Sequence, residues 1–571
     1  MKNDIKSLIN KINFHFIFLV LTFIGLYAIV SLNFDSTQGA DYEKYKNYLN
    51  FFLLGQEKTN LEQGLIYFFI IAWFINFFTY KLNPLNTDEI FSLGIQIGNF
   101  FILFIGLLGL NLLLKEFKVS NKNRYLTLSV ICFFPQTISL VTTFKPEILA
   151  VALLFWSIFF VEKFFNVNNN NYLYLSLFPL SLLATLKGSV TGMVGLFFII
   201  RYFKKLRSMN FKLLIISFSV LVSISSFILY ENYQSNDLFI LDPPHDEEIY
   251  NSKAPFSIVY KIDPIKIFSK PYQHEHKDSI IAIYLLDTFD DYFQLYWNFD
   301  KSLFDQNRKN LFLTDNTGDL LKVDISNRNI TYNGPMNFYL MFLRQYFAIF
   351  FGIVFYFLIF RYSRKYKVNR TFYLAPLIGI FISVVNNVFG FPQNTFDPTR
   401  ADTFKTFYFS FLIILSFSFV VSQFFQNKRK KRLYLVIYFL VIFFILGFPK
   451  ANNDEFDFKI SENNKYSLTC EINSLFLNNT LFETSNLDCP GLEEIVCDEQ
   501  IFRNNDSFYL INSENSLQEV TKYEQCINSV NNGYRYYDNM ISLTNFPLFN
   551  FMTYILFIMS VIYAFVKNNE K

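Results

Sequence analysis

Charged residues are scarce in this sequence and missing altogether from long stretches of it. Only 17% of the 571 residues are Asp, Glu, Lys or Arg, against roughly 25% in soluble domains. Residues 12–34, 91–114 and 213–230 contain none. An apolar run of about 18 residues or more is a transmembrane candidate. Lipid offers the backbone no hydrogen-bond partner, so such a run must be helical. The net charge of +3 argues against a nucleic-acid partner. There is no Walker loop, no dinucleotide-binding glycine fingerprint, no zinc-protease helix and no internal repeat. No small-x-small site follows the first apolar run, 14–33, which is longer than the roughly 7–15 residues of a signal-peptide core. With Lys2, Lys6 and Lys11 before it, it reads as a retained helix whose N-terminus is cytoplasmic.

Cysteine is also sparse, five in all, yet Cys470, Cys489, Cys497 and Cys526 fall in one polar segment. That clustering predicts two disulfides, in one of three pairings, and an oxidising compartment. Cys132 lies in an apolar run and reads as packing.

Apolar residues make up the rest. Hydrophobic segments fall near 14–33, 63–80, 91–114, 125–143, 148–162, 172–186, 188–200, 213–230, 338–360, 371–390, 404–424, 433–448 and 546–566. Four loops are basic: 115–124, 201–212, 361–370 and 426–432. Basic loops stay in the cytoplasm. If all thirteen segments crossed from a cytoplasmic N-terminus, all four basic loops would lie outside. One segment must therefore fail to cross, and 63–80, close to the acidic N-terminal loop, is the best candidate, as a re-entrant or surface-lying helix. Twelve crossings bring the basic loops and the C-terminus inside. A merged 172–200 helix is the second choice, but it leaves 115–124 outside.

The expected fold is therefore an all-α polytopic membrane protein of about 12–13 transmembrane or re-entrant helices. The divisions are a membrane module at 1–230 with its first external loop at 34–62, an external segment at 231–337, further membrane helices at 338–448, a cysteine-containing external segment at 449–545, and a last helix and tail at 546–571. The expected location is the cell inner (plasma) membrane, multi-pass, with both termini cytoplasmic.

Polar residues gather toward the external side, and chemistry is expected there. Asp35 and Asp41 follow the first helix; Tyr45, Tyr48 and Phe52 follow Asp41 at helical spacing, with Gly55 closing the run. That pattern predicts a short helix on the membrane surface, with its aromatics at the interface and a carboxylate at headgroup level able to act as a general base. Read locally, Asp41 is simply a helix N-cap. Cations that could meet a phosphate near this face are Lys145, Lys187, Arg344 and Arg400. His274-x-His276, with Glu275 and Asp278, has chelating spacing, but the surrounding loop is polar and the metal reading is the weaker one.

The pattern D-x-x-x-Y-x-x-Y from Asp41, with Gly55 and then a Leu/Tyr-rich segment, resembles the first external loop of the GT-C glycosyltransferases. PQTISLVTTFKPEILAVALLF (135–155), LLATLKGSVTGMVGLFFIIRYFKK (182–205) and IAIYLLDTFDDYFQLYWNFD (281–300) resemble later parts of that family, in order along the chain. Where many members carry Pro-Pro, this chain has Glu62-Gln63-Gly64. The resemblance implies an inverting enzyme using a polyprenyl-phosphate sugar donor and a glycan, lipid or protein acceptor. It implies catalysis by Asp41, with Asp35 as second choice. Lys187 or Arg400, then Lys145 and Arg344, would hold the donor phosphate, and Tyr42, Tyr45 and Glu147 would line the substrate. Some members hold a divalent cation with acids, so the resemblance admits one at Asp41, Asp35 and Glu147. Gly39-Ala40-Asp41-Tyr42 is also similar to a loop of polysaccharide or O-antigen polymerases. A transporter or flippase is the non-enzyme alternative, disfavoured by the absence of repeats and of polar helices at mid-membrane.

Overall fold

The computed structural model describes residues 14–33, 36, 42–55, 63–81, 87–230, 256–269, 279–287, 310–314, 320–324, 338–389, 406–426, 433 and 435–440, with strand residues at 475–477, 480–482, 501–504, 507–511 and 517–520. Among these the protein is almost entirely helical. The helices used below are α1 (Phe14–Asn33), α2 (Tyr42–Leu54), α3 (Leu65–Lys81), α4 (Thr87–Glu116), α5 (Asn121–Cys132), α6 (Pro135–Thr142), α7 (Glu147–Val167), α8 (Asn170–Ala184), α9 (Gly188–Arg207), α10 (Phe211–Ile228), α11 (Phe338–Lys365), α12 (Arg370–Tyr373), α13 (Ala375–Phe389) and α14 (Ser410–Gln426).

Among the described residues, three helical stretches, Ile90–Glu116, Glu147–Val167 and Phe211–Ile228, are long and apolar enough to cross a membrane, or up to five if each bent pair is one span. The outer surface agrees with that composition. Phe101, Phe104, Ile199, Phe203, Phe218, Phe350 and Phe357 are exposed, an arrangement that water would penalise and lipid would not. The helical, apolar character is consistent with a membrane-embedded protein.

Side-chain contacts fix how the helices run. Gly94 and Gly98 meet Ile75 and Ile71, so closely that a Cβ on either glycine would lie 2.5 Å from an isoleucine carbon. α3 and α4 are therefore antiparallel. On the other side of α4, Gly106 faces Ala152, the Trp156 indole donates to the Ile105 carbonyl at 2.9 Å, and Lys163 pairs with Glu116 at 3.1 Å. Both numbers rise together, so α4 and α7 are parallel. The return between them is α5 and α6, bent by 57° at 133–134, where Pro135 opens α6. α9 runs parallel to α7 as well, since Lys187 meets Glu147 and Arg201 meets Glu162.

Two ends of the bundle follow. At one end Phe117 packs on Phe372 with ring centroids 5.3 Å apart, the Arg201 guanidinium lies 4.4 Å from the Phe372 centroid, and Arg201 donates to the Val368 carbonyl. Three basic loops, 115–124, 201–212 and 361–370, thus share that end. The other level is marked by Asn99, whose amide donates to the carbonyls of Val141 and Thr143. Asn99 to Glu116 is about 25 Å of helix at 1.5 Å per residue. α3 starts at this second level, because Tyr67 donates to Asn99 at 2.9 Å, and it runs away from the basic end. It lies alongside α4 and not across the bundle.

Two expectations are corrected. The disulfides are not found: among the described residues there is no Sγ–Sγ pair, and the one described cysteine, Cys132, is a buried free thiol. Cys470, Cys489, Cys497 and Cys526, which prompted the expectation, lie outside the described residues, and the oxidising compartment drawn from them is dropped. The aromatic face of α2 does not lie on a membrane surface. Tyr42, Tyr45 and Tyr48 are buried in the protein, packed on Phe144 and Phe68. Antiparallel strands pair at Asn310–Thr314 with Leu320–Asp324 and in a three-stranded sheet of Ile501–Asn504, Ser507–Ile511 and Leu517–Val520, within the two segments expected to be external.

Candidate functional site

The second level of the bundle is where two helix breaks meet. α8 and α9 form a hairpin whose turn is 185–187. The backbone of Lys187 is extended, at φ −163° and ψ 139°, and it N-caps α9 without a side-chain cap bond. Its side chain is thereby left to reach sideways. Residues 63 and 64 dock on this turn as a minimal strand. Gln63 bridges Lys187 in antiparallel sense, and the Gly64 N–H donates to the Leu186 carbonyl at 2.7 Å. Gly64 is required here, because a Cβ would stand 1.9 Å from the Thr185 carbonyl oxygen. The Gln63 N–H donates to the Tyr48 hydroxyl at 3.1 Å, which ties α2 to the same turn.

Glu147 enters from the facing break. Pro146 N-caps α7 and Glu147 is its first residue, a position where the helix dipole favours a carboxylate. Glu147 is fully buried. Its Oε1 accepts from Lys187 Nζ at 3.0 Å, while its Oε2 is buried with no hydrogen-bond partner among the described residues. Isolating an ionised carboxylate from water is costly, and Lys187 offsets that cost. Lys187 Nζ also lies 4.9 Å from the centroid of the Tyr408 ring, a cation–π contact. The lysine side chain is 18% exposed, so the pair is recessed and not sealed.

Below the pair, Phe144 is the hub of an aromatic cluster. Tyr42, Tyr45, Tyr67 and Phe68 all place ring centroids within 6.1 Å of it. Tyr48 stacks on Phe68 at 4.3 Å. The cluster holds the start of α2, the turn before α7 and the start of α3 in one block.

The sequence-derived residues divide as follows. Glu147 and Lys187 come together in direct contact. Lys145 lies two residues before Glu147, near enough that its charge acts on Lys187. Tyr42 and Tyr45 serve the cluster around Phe144. Arg344 lies within α11. Asp35, Asp41 and Arg400 lie outside the described residues, as do His274, Glu275, His276 and Asp278. Among the described residues no three His, Cys, Asp or Glu side chains form a metal-binding group; Asp35 and Asp41 are not among those residues. Gln63, Gly64, Tyr67, Asn99 and Tyr408 were not anticipated. Asn99 carried a signal, as one of three amides, with Gln96 and Asn111, in the apolar run of α4.

A second buried carboxylate sits at the basic end. Glu162 accepts from Arg201 at 2.7 and 3.1 Å and from the Tyr202 hydroxyl at 3.1 Å, with Lys205 at 3.6 Å. All its partners are accounted for, and it fastens α7 to α9.

Compared with protein-family models and with curated proteins, the chain matches none.

Proposed function

We propose that this protein is a membrane glycosyltransferase that moves a sugar from a polyprenyl-phosphate donor to a glycan, lipid or protein acceptor, working at the end of the bundle away from the basic loops. The observation that carries the reading is the recessed Glu147–Lys187 pair, 3.0 Å apart at the meeting of two helix breaks in an otherwise apolar bundle. Ionisable groups are retained in such surroundings chiefly for function. A donor that is part hydrocarbon and part anion suits the place. Its tail has the apolar outer surface of the helices, and its phosphate has Lys187. Lysine carries three N–H donors; Glu147 takes one.

Asp41 is the general base in this reading. It directly precedes Tyr42, whose ring lies 6.1 Å from that of Phe144, three residues before Glu147. The acceptor hydroxyl gives its proton to Asp41 and its oxygen attacks the anomeric carbon. The bond from that carbon to the phosphate oxygen breaks, and the polyprenyl phosphate leaves with the electron pair, so the configuration inverts. Lys187 stabilises the charge growing on the phosphate. Lys145, Arg344 and Arg400 are further cations for the same group, and Asp35 is the second candidate base.

The test is transfer by full-length protein in nanodiscs, with a farnesyl-phosphate sugar and a polyol acceptor. Asp41→Asn is expected to lower the rate by roughly 10²–10⁴-fold while the donor still binds. Transfer at the unsubstituted rate by Asp41→Asn overturns the assignment of the base.

A further inference from the structure

Two oxygen acceptors on residues joined to Lys187 are left without donors. Glu147 Oε2 and Gln63 Oε1 are both buried, and neither has a hydrogen-bond partner among the described residues. The residues themselves are 0% and 2% exposed. Folded proteins keep few such atoms, because removing an acceptor from water without a replacement donor is costly. Here two belong to residues that meet the same turn, 185–187. Glu147 is tied to it through its ion pair with Lys187, and Gln63 through its backbone bridge to the same lysine. Residues directly opposite in an antiparallel pair carry their side chains on the same face, so the Gln63 side chain starts beside that of Lys187. The register is locked by Gly64, which no other residue could replace without moving the Thr185 carbonyl.

The chemistry of the vacant partner follows from these groups. Two acceptor oxygens call for hydrogen-bond donors. A metal ion or an ammonium group would sit against the Lys187 ammonium, and an anion alone would face two oxygens. A neutral group with several hydroxyls meets both demands, for it donates to Glu147 and Gln63 and offers its own oxygens to Lys187. We propose that Glu147 Oε2 and Gln63 Oε1 form a two-oxygen seat for the hydroxyls of a polyol, and that Gln63 sets the preference for a hydroxylated ligand over a bare phosphate. This rests on the reading of Lys187 as the phosphate-binding group; the polyol is then the sugar that the phosphate carries. Gln63 is a positioning residue in this scheme and takes no part in the bond changes.

The test is a pair of binding titrations on the full-length chain in nanodiscs, with farnesyl phosphate and with farnesyl phosphoglucose. The unsubstituted protein is expected to prefer the glucose-bearing lipid by roughly fivefold or more, the worth of one or two hydrogen bonds. Gln63→Met, similar in shape but without the acceptor, is expected to bring the preference down to within about twofold while leaving the affinity for farnesyl phosphate unchanged. A merely structural role would weaken both lipids alike. Equal affinity of the unsubstituted protein for the two lipids overturns the seat, and that comparison needs no variant to fold. Full preference retained by Gln63→Met overturns it too, with the transferase reading left standing. Binding of neither lipid by the unsubstituted protein overturns both.

Discussion

Glu147 has zero exposure, and its ion pair is with Lys187. Removing one member of a buried pair typically destabilises by about 3–5 kcal/mol, whereas replacing both with apolar residues of similar volume is often neutral. Lys187→Met alone is therefore expected to lower thermal stability in detergent sharply, and Glu147→Leu with Lys187→Met to recover most of the loss. If Lys187 binds phosphate, the double variant, though stable, binds no farnesyl phosphate, and this separates the structural role of the pair from its functional one. Gly64 gives a second prediction at this scale. Gly64→Ala forces a Cβ against the Thr185 carbonyl and is expected to cost about 1–3 kcal/mol, the usual penalty for overpacking. Gly192→Ala, where the space is open, is expected to cost nothing measurable. Equal melting temperatures for the two alanine variants contradict the close docking of 63–64. Lys187, Glu147 and Lys145 were legible in the sequence because charge in an apolar run is conspicuous. Gln63 was not, because its value comes from a turn more than a hundred positions away.

Among the elements, α7 and α9 are joined at both levels, by Glu147–Lys187 and by Glu162–Arg201. Arg201 also stacks on Phe372 and so carries α12 with it. Arg201→Met strips Glu162 of its strongest partner but leaves Tyr202 and Lys205. Its expected cost is about 2 kcal/mol, within the range for charge-assisted hydrogen bonds, read as a fall in melting temperature. The unsubstituted melting temperature in this variant contradicts the clamp. Most helices were legible from hydrophobic runs, since composition alone makes them. The break at 133–134 was not read, although Pro135 signals it: the residue before a proline is pushed out of the helical region. The side on which Tyr42, Tyr45 and Tyr48 rest was misread for a different reason. Lipid and protein interior are both apolar, so an aromatic stripe has the same spacing facing either one.

For the whole molecule, the account divides the bundle into a basic end and a recessed reactive level, about 25 Å apart along α4. Lys122, Ser208 and Lys367 stand in three basic loops at one end. Cysteines introduced singly at these positions are expected to react with a membrane-impermeant maleimide from the same side of sealed vesicles, as read by mass spectrometry of the labelled peptide. Labelling from opposite sides contradicts the shared end. The charge pattern of the loops was legible and placed them together without coordinates. The reactive level was legible only in part, because the sequence shows which residues are unusual but not which of them meet.

The central claim is that a polyprenyl phosphate sits at the Glu147–Lys187 turn. The most direct measurement is photo-crosslinking of the full-length protein in nanodiscs with a farnesyl phosphate bearing a benzophenone near its phosphate, followed by peptide mapping. The account predicts adducts at 144–148 and 185–192, competed by unlabelled farnesyl phosphate and lost in the Glu147→Leu, Lys187→Met double variant. Adducts confined to other segments, or undiminished in that variant, contradict it.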